Sequence, residues 1–246
     1  MGVSSTKLQK LAEIITIRAL FWYLCTAMNT YTLAIFDLDG TLLNTIGDLS
    51  VCCNHILAQE GLPTHTYEQY CNFVGNGVKR LVERSIPEEL RSTEYVEMMR
   101  RRFVAYYYEH IDTHTTPYDG ISELLAELQQ RGIMLAVASN KFQAGVERLI
   151  QRFFPDIEWQ VVLGGREGVP AKPSPDIALE IIEKCGAKPS ETLFIGDSGV
   201  DIQTAYASGA TSVGCAWGFR SLDELLENRA HHIVHRPSEI IEVIRK

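Results

Sequence analysis

The sequence predicts an α/β fold in which a parallel sheet with flanking helices is interrupted by a helical insert after its first strand. From residue 31 onward, short apolar runs alternate with longer amphipathic stretches, which is the pattern of a parallel sheet with crossover helices. One interval, 46–112, shows only helical periodicity. The 246 residues are 46% hydrophobic, which is enough for a large core and a small companion domain.

The predicted strands are short apolar runs separated by turn residues. They cover 32–36, 133–138, 160–163, 192–195, 211–215 and 232–234. The stretches between them carry apolar residues three or four positions apart, as in Ile121, Leu124, Leu125 and Leu128, and are predicted to be helices. The chain therefore divides into an α/β core, 28–45 and 113–246, and a helical cap, 46–112. The stretch 113–120 is the predicted return linker.

Residues 1–27 are interpreted as an N-terminal extension. Lys7 and Lys10 before an apolar stretch faintly resemble a secretory signal, but Glu13 and Arg18 interrupt that stretch. The alternative is a start assigned too early, because the sequence from Met28 leads directly into the first strand. The longest apolar run, 19–28, is shorter than the roughly 20 residues needed to cross a bilayer. We therefore expect no membrane segment and a cytoplasmic location.

The composition limits the classes of partner. There are 23 Lys and Arg against 31 Asp and Glu, a formal net charge of −8, which disfavours nucleic acid and anionic membranes. A small anionic substrate is compatible with this charge. The 6 cysteines contain no C-x-x-C pair, so neither a zinc knuckle nor a thioredoxin-type motif is present, and reduced thiols are expected.

The most informative motif is Asp37-Leu38-Asp39-Gly40-Thr41, where the first predicted strand ends. A hairpin turn would need a second strand directly afterwards, but a long helical stretch follows. An EF-hand loop would need Gly at its sixth position and Glu at its twelfth, whereas here Gly40 is fourth and Asp48 is twelfth. Ligands of open α/β sheets bind at the carboxyl ends of strands. The motif therefore predicts two carboxylates in a ligand-binding crevice.

Three further elements follow along the chain, and two of them also come directly after predicted strands. They are Ser139-Asn140, Lys172-Pro173-Ser174-Pro175, and Gly196 to Asp201 in the pattern G-D-x-x-x-D. Each is weak alone, since it could be a helix cap or a loop. Gly196 to Gly199 also matches the sequence around the serine nucleophile of chymotrypsin-like proteases, but no β-barrel pattern or suitable histidine accompanies it. Together the elements predict one shared crevice.

The ordered motif set resembles the haloacid dehalogenase superfamily over about residues 31–246. This resemblance implies a Rossmann-like parallel sheet core with a helical cap inserted after the first strand. The stretch 73–78, the motif 196–201 and the overall length are similar to the phosphoglycolate phosphatase branch. The acid at Asp39 disfavours the dehalogenating and phosphonate-cleaving branches. Asn44 stands where many relatives carry a second acid, a difference we expect to leave the chemistry unchanged.

The resemblance also implies a role for each polar residue. Asp37 attacks phosphorus to form an aspartyl-phosphate, and Asp39 protonates the leaving group and then deprotonates water. Ser139 hydrogen-bonds a phosphoryl oxygen, and Lys172 neutralises the charge that develops in the transition state.

Mg²⁺ is the expected cofactor, because several carboxylates beside a phosphate dianion would otherwise repel one another. The predicted metal-site residues are Asp37, Asp39 through its main-chain carbonyl, Asp197, and Asp201, which would orient the site or its metal-bound waters.

The candidate substrate-binding residues are Thr41, Asn140, Gly77 and Lys79. Gly77 and Lys79 stand at the start of a cap helix, where backbone N–H groups favour an anion such as a substrate carboxylate. The alternative is that the glycines only form a turn and the cation is solvated.

The expected function is Mg²⁺-dependent hydrolysis of a small phosphorylated metabolite, with 2-phosphoglycolate as the favoured substrate and a monomer or homodimer as the assembly. One alternative is a phosphosugar mutase of the β-phosphoglucomutase type. Another is a non-enzymatic phospho-acceptor module, although such a module is about half this length and lacks the cap and the second acid.

Overall fold

The structure is a computed structural model that describes residues 31–244. Its strands are β1 (Leu33–Phe36), β2 (Leu43–Asn44), β3 (Thr116–Pro117), β4 (Met134–Phe142), β5 (Trp159–Gly165), β6 (Thr192–Gly196), β7 (Thr211–Cys215) and β8 (His232–Val234). Six of them form a parallel sheet in the order β5-β4-β1-β6-β7-β8, which confirms the predicted fold class. The predicted N-terminal extension, 1–27, lies outside the described residues.

Helices account for the interval between β2 and β3 and for the crossovers between the sheet strands. They are α1 (Ile46–Gln59), α2 (Tyr67–Phe73), α3 (Gly77–Ser85), α4 (Thr93–His110), α5 (Ile121–Gln130), α6 (Gln143–Phe153), α7 (Asp176–Cys185), α8 (Gly199–Ser208), α9 (Leu222–Glu227) and α10 (Ile240–Ile244). The interval 46–112 is thus helical, and its division from the core as a separate domain stays a prediction. We call residues 46–112 the helical segment.

Local sequence signals explain where these helices begin. Thr66 caps α2 through a capping box with Gln69, which satisfies backbone N–H groups that have no partner inside the helix. Ser92 accepts a hydrogen bond from the backbone of Tyr95 at the start of α4. In α5, the apolar positions three or four apart are all buried, so this face of the helix packs onto the sheet.

Strand β1 lies at the centre of the core. All four of its residues are fully buried, and they alternate between the two faces of the sheet. Ala34 and Phe36 join a large apolar cluster that extends into the helical segment, whereas Leu33 and Ile35 pack with α7 on the opposite face. A strand buried on both faces is typical of a parallel sheet covered by helices. The motif that begins at Asp37 therefore follows a strand that is held in place on both faces.

Strand β4 is longer than the sequence predicts. The apolar pattern predicts an end at Ala138, but the strand continues to Phe142, with a shift of register against β5 between Ala138 and Phe142. The polar residues 139–141 gave no apolar pattern that would reveal a strand. Their place in the irregular extension puts them at the carboxyl edge of the sheet, beside β1.

A small antiparallel ribbon joins the two connections between the sheet and the helical segment. Strand β2 pairs with β3, with Leu43 opposite Pro117 and Asn44 opposite Thr116. The buried Asp48 carboxylate accepts hydrogen bonds from the backbone N–H groups of His114 and Thr115, both at 2.8 Å. The sequence predicts a return linker over 113–120 but not this pairing, because strands of two residues carry no detectable periodicity.

The described residues bear on two predictions, which concern membrane segments and the state of the cysteines. No helix within 31–244 is long and apolar enough to cross a membrane. The described cysteines, which are Cys52, Cys53, Cys71, Cys185 and Cys215, form no disulfide.

Candidate active site

Asp37 stands at the end of β1, and a tight turn follows it. Its backbone N–H donates to Ile195 of the neighbouring strand at 2.8 Å, which fixes the position of the residue relative to β6. Gly40 adopts a φ of +87°, and a Cβ at this position would lie 2.7 Å from Cγ of Asp197. Only glycine therefore allows the turn to pass this close to the second acidic motif.

Lys172 connects two of the acidic residues. Its side chain is 1% exposed, and Nζ donates to Oδ1 of Asp37 at 2.9 Å, to Oδ1 of Asp201 at 2.7 Å and to the carbonyl of Ala138 at 2.8 Å. Burial alone lowers the pKa of Lys172, but the Asp201 and Asp37 carboxylates outweigh burial and hold that pKa above its usual range. The ammonium stays charged, and all three of its protons are used.

Three buried carboxylates converge at the carboxyl edge of the sheet. One oxygen from each of Asp37, Asp197 and Asp201 lies within 4.8 Å of the others. Asp197 accepts a hydrogen bond of 2.7 Å from the backbone of Phe219. Asp201 lies in the first turn of α8 and forms a capping box with Ser198, whose hydroxyl donates to Oδ2 of Asp201 at 2.6 Å. The structure thus brings together the predicted residues from the first, third and fourth motifs.

The crowding of negative charge shows in the pKa values. Burial raises the pKa of Asp37 to about 7. The Lys172 ammonium lowers this pKa, whereas the negative charges of Asp201 and Asp39 raise it further. Burial, reinforced by Asp201 and Asp37, raises the pKa of Asp197 well above its ordinary value. When all three carboxyl groups are ionised, as in the presence of a bound cation, they face one ammonium and leave an excess of two negative charges.

A divalent cation fits this donor set. Carboxylate oxygens are the hard ligands that Mg²⁺ and Ca²⁺ prefer, and the excess of two negative charges matches the charge of such an ion. The Asp39 carboxylate is not part of this cluster. Its predicted contribution through the main-chain carbonyl stays a prediction.

Asp39 is held by residues that the sequence did not single out. Lys141 donates to both of its carboxylate oxygens, at 2.8 Å and 3.1 Å, and the Thr45 hydroxyl donates to Oδ1 at 2.6 Å. The Lys141 ammonium also lies 4.8 Å from the centre of the Tyr107 ring in α4. The apolar pattern of β4 ends at Ala138, so the sequence does not place Lys141 at the sheet edge. Its position two residues after Ser139 was the available signal.

Ser139 and Asn140 lie at the carboxyl edge of the sheet, as the motif predicts. Their side chains differ in whether other residues already occupy their hydrogen-bonding groups. Ser139 is buried, lines the crevice, and its Oγ accepts a bond from the Lys141 backbone at 3.2 Å. The Asn140 amide donates to the carbonyls of Gly75, at 3.0 Å, and Lys172, at 3.1 Å, and accepts from the Lys172 backbone at 2.8 Å. Asn140 therefore already bridges the sheet edge and the helical segment.

The crevice lies between the sheet edge and the helical segment. Its lining residues are Asp37, Asp39, Leu49, Val74, Gly75, Gly77, Val78, Leu81, Ser139, Asn140 and Lys141. On its helical side, Arg220, which follows β7, donates to the Val74 carbonyl at 2.8 Å and so ties this wall to the sheet.

Two predicted substrate-binding residues do not line the crevice. Lys79 is exposed and lines an adjacent groove. Thr41 is fully buried, and its hydroxyl has no hydrogen-bond partner among the described residues.

Comparison with known proteins identifies the family. A family model described as haloacid dehalogenase-like hydrolase matches residues 34–215. The chain belongs to this family. As a haloacid dehalogenase-like hydrolase, it carries the motifs on which the resemblance was based, and the family prediction is confirmed.

This haloacid dehalogenase-like hydrolase is similar to phosphatases, and the similarity covers nearly the whole length of those relatives. Phosphoglycolate phosphatase of Pasteurella multocida is 30% identical over 223 residues, covering 88% of this chain and 100% of the relative. N-acetylmuramic acid 6-phosphate phosphatase of Pseudomonas aeruginosa is 32% identical over 214 residues, covering 85% and 93%. A crystal structure from Lactobacillus delbrueckii subsp. bulgaricus, provisionally described as a phosphoglycolate phosphatase, has a TM-score of 0.82 and 34% identity, covering 87% and 98%. The hydrolase is thus a phosphatase that acts on phosphoric monoesters.

Proposed function

We propose that this phosphatase is Mg²⁺-dependent and hydrolyses 2-phosphoglycolate or a similar small phosphate ester through an aspartyl-phosphate. The observation that carries the proposal is the arrangement around Asp37. This carboxylate ends a fully buried strand, contacts the Lys172 ammonium at 2.9 Å and shares a cluster with Asp197 and Asp201. A nucleophile, a cation and a metal-binding set therefore meet at one point.

The hydrogen bonds of Asp37 distinguish its two oxygens. The backbone of Leu38, at 2.7 Å, and Lys172, at 2.9 Å, both donate to Oδ1. No residue within 31–244 donates a hydrogen bond to Oδ2, so Oδ2 is the oxygen available to attack phosphorus. Donors on Oδ1 fix the carboxylate plane, so that little reorganisation is needed when the new bond forms.

Two transfers complete the proposed reaction. In the first, Oδ2 of Asp37 forms a bond to phosphorus, the bond to the ester oxygen breaks, and protonated Asp39 gives its proton to that oxygen. In the second, Asp39 takes a proton from water, the water oxygen bonds to phosphorus, and the aspartyl bond breaks to release phosphate. The hydrogen bonds that Asp39 accepts from Lys141 and Thr45 support its proposed role as the acceptor of the proton from water in the second transfer.

The remaining residues supply charge and orientation. Asp37, Asp197 and Asp201 would hold Mg²⁺, which when bound supplies positive charge beside the phosphoryl oxygens. Lys172 adds the positive charge of the protein itself, and the Ser139 hydroxyl donates to a phosphoryl oxygen.

The phosphatase relatives favour hydrolysis over the phosphosugar mutase alternative. 2-Phosphoglycolate is proposed from the Pasteurella multocida relative and from the compact crevice. A cytoplasmic location and a monomeric or homodimeric state stay predictions.

The test is release of free phosphate from a panel of small phosphate esters by the full chain, with Mg²⁺ or with a chelator. We expect Asp37→Asn to lower kcat by several orders of magnitude, because the attacking charge is lost. Asp156→Asn, an exposed carboxyl, is the matched control and should leave kcat unchanged. Acid quenching of a single turnover with radiolabelled phosphate ester should leave label on the wild-type protein only. More than a tenth of wild-type turnover in Asp37→Asn contradicts the mechanism.

A further inference from the structure

Lys141 is a buried cation with no role in the proposed transfers. Its side chain is 2% exposed, and it lies at the carboxyl edge of the sheet in the extension of β4. A lysine is rarely buried this deeply unless it is paired with a negative group. In the described state that partner is Asp39, through both carboxylate oxygens.

The two buried lysines of the site differ in the number of residues that their ammonium groups contact. Lys172 uses its three protons on two carboxylates and one carbonyl. The Lys141 ammonium has hydrogen bonds to one residue only among those described, and that residue, Asp39, keeps a second donor in Thr45 at 2.6 Å. Lys141 can therefore turn to another anion without leaving Asp39 unpartnered.

The composition of the crevice makes Lys141 the natural partner of a substrate anion. Among the described residues that line it, Lys141 is the only one with a positive charge. The facing wall consists of apolar side chains, Val74, Val78 and Leu81, and of two glycines. An anionic group placed in this space would lose its hydration, and such a loss is offset only by a charged hydrogen-bond partner.

Lys141 also lies at the right place relative to the reaction. Its ammonium is 2.8 Å from Oδ1 of Asp39, the group proposed to protonate the ester oxygen. In 2-phosphoglycolate a single carbon separates the ester oxygen from the carboxylate, so a carboxylate is held close to whichever group contacts that oxygen. The Tyr107 ring limits the directions in which the ammonium can move.

We propose that Lys141 binds the substrate carboxylate and so selects phosphate esters that carry a second negative group close to the ester oxygen. This inference rests on the proposed function and names its specificity residue. On binding, the substrate carboxylate replaces Asp39 as the partner of the Lys141 ammonium, while Thr45 continues to hold Asp39. Lys79, the cation that the sequence favoured for this task, is exposed and lines the adjacent groove.

The experiment compares 2-phosphoglycolate with ethyl phosphate, in which a methyl group replaces the carboxylate. We expect Lys141→Met to lower the ratio of kcat/KM for these two esters by roughly tenfold to a hundredfold, the effect of losing a buried hydrogen bond to a charged group. Lys141→Arg should retain part of the ratio. Lys188→Met, at an exposed lysine paired with Glu191, is the matched control and should retain all of it.

A second readout measures binding without proton transfer. Inhibition constants are measured for 3-phosphonopropionate and propylphosphonate, which differ only in the carboxylate and have no ester oxygen to protonate. The wild-type protein should bind the first at least about tenfold more tightly, and Lys141→Met should remove this preference. The wild-type comparison needs no variant to fold.

Three results would overturn the proposal. The first is an equal loss on both esters in Lys141→Met with no change in the inhibitor preference, which would mean that Lys141 only positions Asp39. The second is a wild-type protein without a preference for the carboxylate inhibitor. The third is selective loss in Lys79→Met and none in Lys141→Met. Hydrolysis of p-nitrophenyl phosphate without hydrolysis of 2-phosphoglycolate would instead refute the proposed substrate, and the inhibitor pair would still test Lys141.

Discussion

Replacing Lys172 by methionine tests the charge balance of the site through protein stability. Methionine keeps most of the side-chain volume but removes the ammonium that contacts Asp37, Asp201 and the Ala138 carbonyl. Removing one partner of a buried ion pair costs about 3–5 kcal/mol, because the other charge stays buried without compensation. For a chain of this size, each kcal/mol lowers Tm by about 2–4 °C. Without metal, we therefore expect Tm to fall by about 6–20 °C.

The assay is thermal unfolding of both proteins in a chelator and in excess Mg²⁺. Because the same carboxylates would hold the cation, Mg²⁺ should raise the Tm of Lys172→Met more than that of the wild type. Lys184→Met is the matched control, since this lysine is 51% exposed and its pair with Glu180 should contribute at most about 1 kcal/mol. If Lys172→Met and Lys184→Met lost the same small amount of stability in the chelator, the inferred excess of negative charge would be wrong.

Three further predictions follow from the same site. In metal-free protein, burial raises the pKa of Asp37 from its ordinary value of 3.8 to about 7, so between these values the folded state holds a proton that the unfolded state has lost. The contribution of Asp37 to the free energy of unfolding should therefore fall as pH rises from about 4 to about 7, and Asp37→Asn should flatten that slope in chemical denaturation. Gly40→Ala should abolish phosphatase activity and lower stability by several kcal/mol in urea titrations, because the added methyl collides with Asp197, whereas Gly61→Ala, with open space around it, should cost about 1 kcal/mol. Arg220→Ala should raise KM and speed amide hydrogen exchange in 72–76 with little change in Tm; unchanged exchange would contradict its role in holding that wall.

The sequence predicted the sheet and the convergence of its motifs because both depend on local patterns and on one topological rule. Strands 211–215 and 232–234 agree with the structure at both ends, and the carboxyl ends of parallel strands necessarily meet at one edge. The contact between Lys141 and Asp39 could not be predicted, because it joins residues 102 positions apart and begins in a strand extension without apolar alternation. The placement of Lys79 outside the crevice depends on the orientation of α3, which periodicity does not specify.

The short ribbon formed by β2 and β3 has a consequence for how such enzymes diversify. The chain leaves the core and returns to it on antiparallel neighbours, so the outgoing and returning connections lie about 5 Å apart where β2 pairs with β3. A segment anchored at one place can change in length and sequence without altering any distance that the sheet must span. New substrates can then be acquired by altering the wall that contains Val74 and Val78, while the bond-breaking carboxylates, held by a different part of the chain, are inherited unchanged.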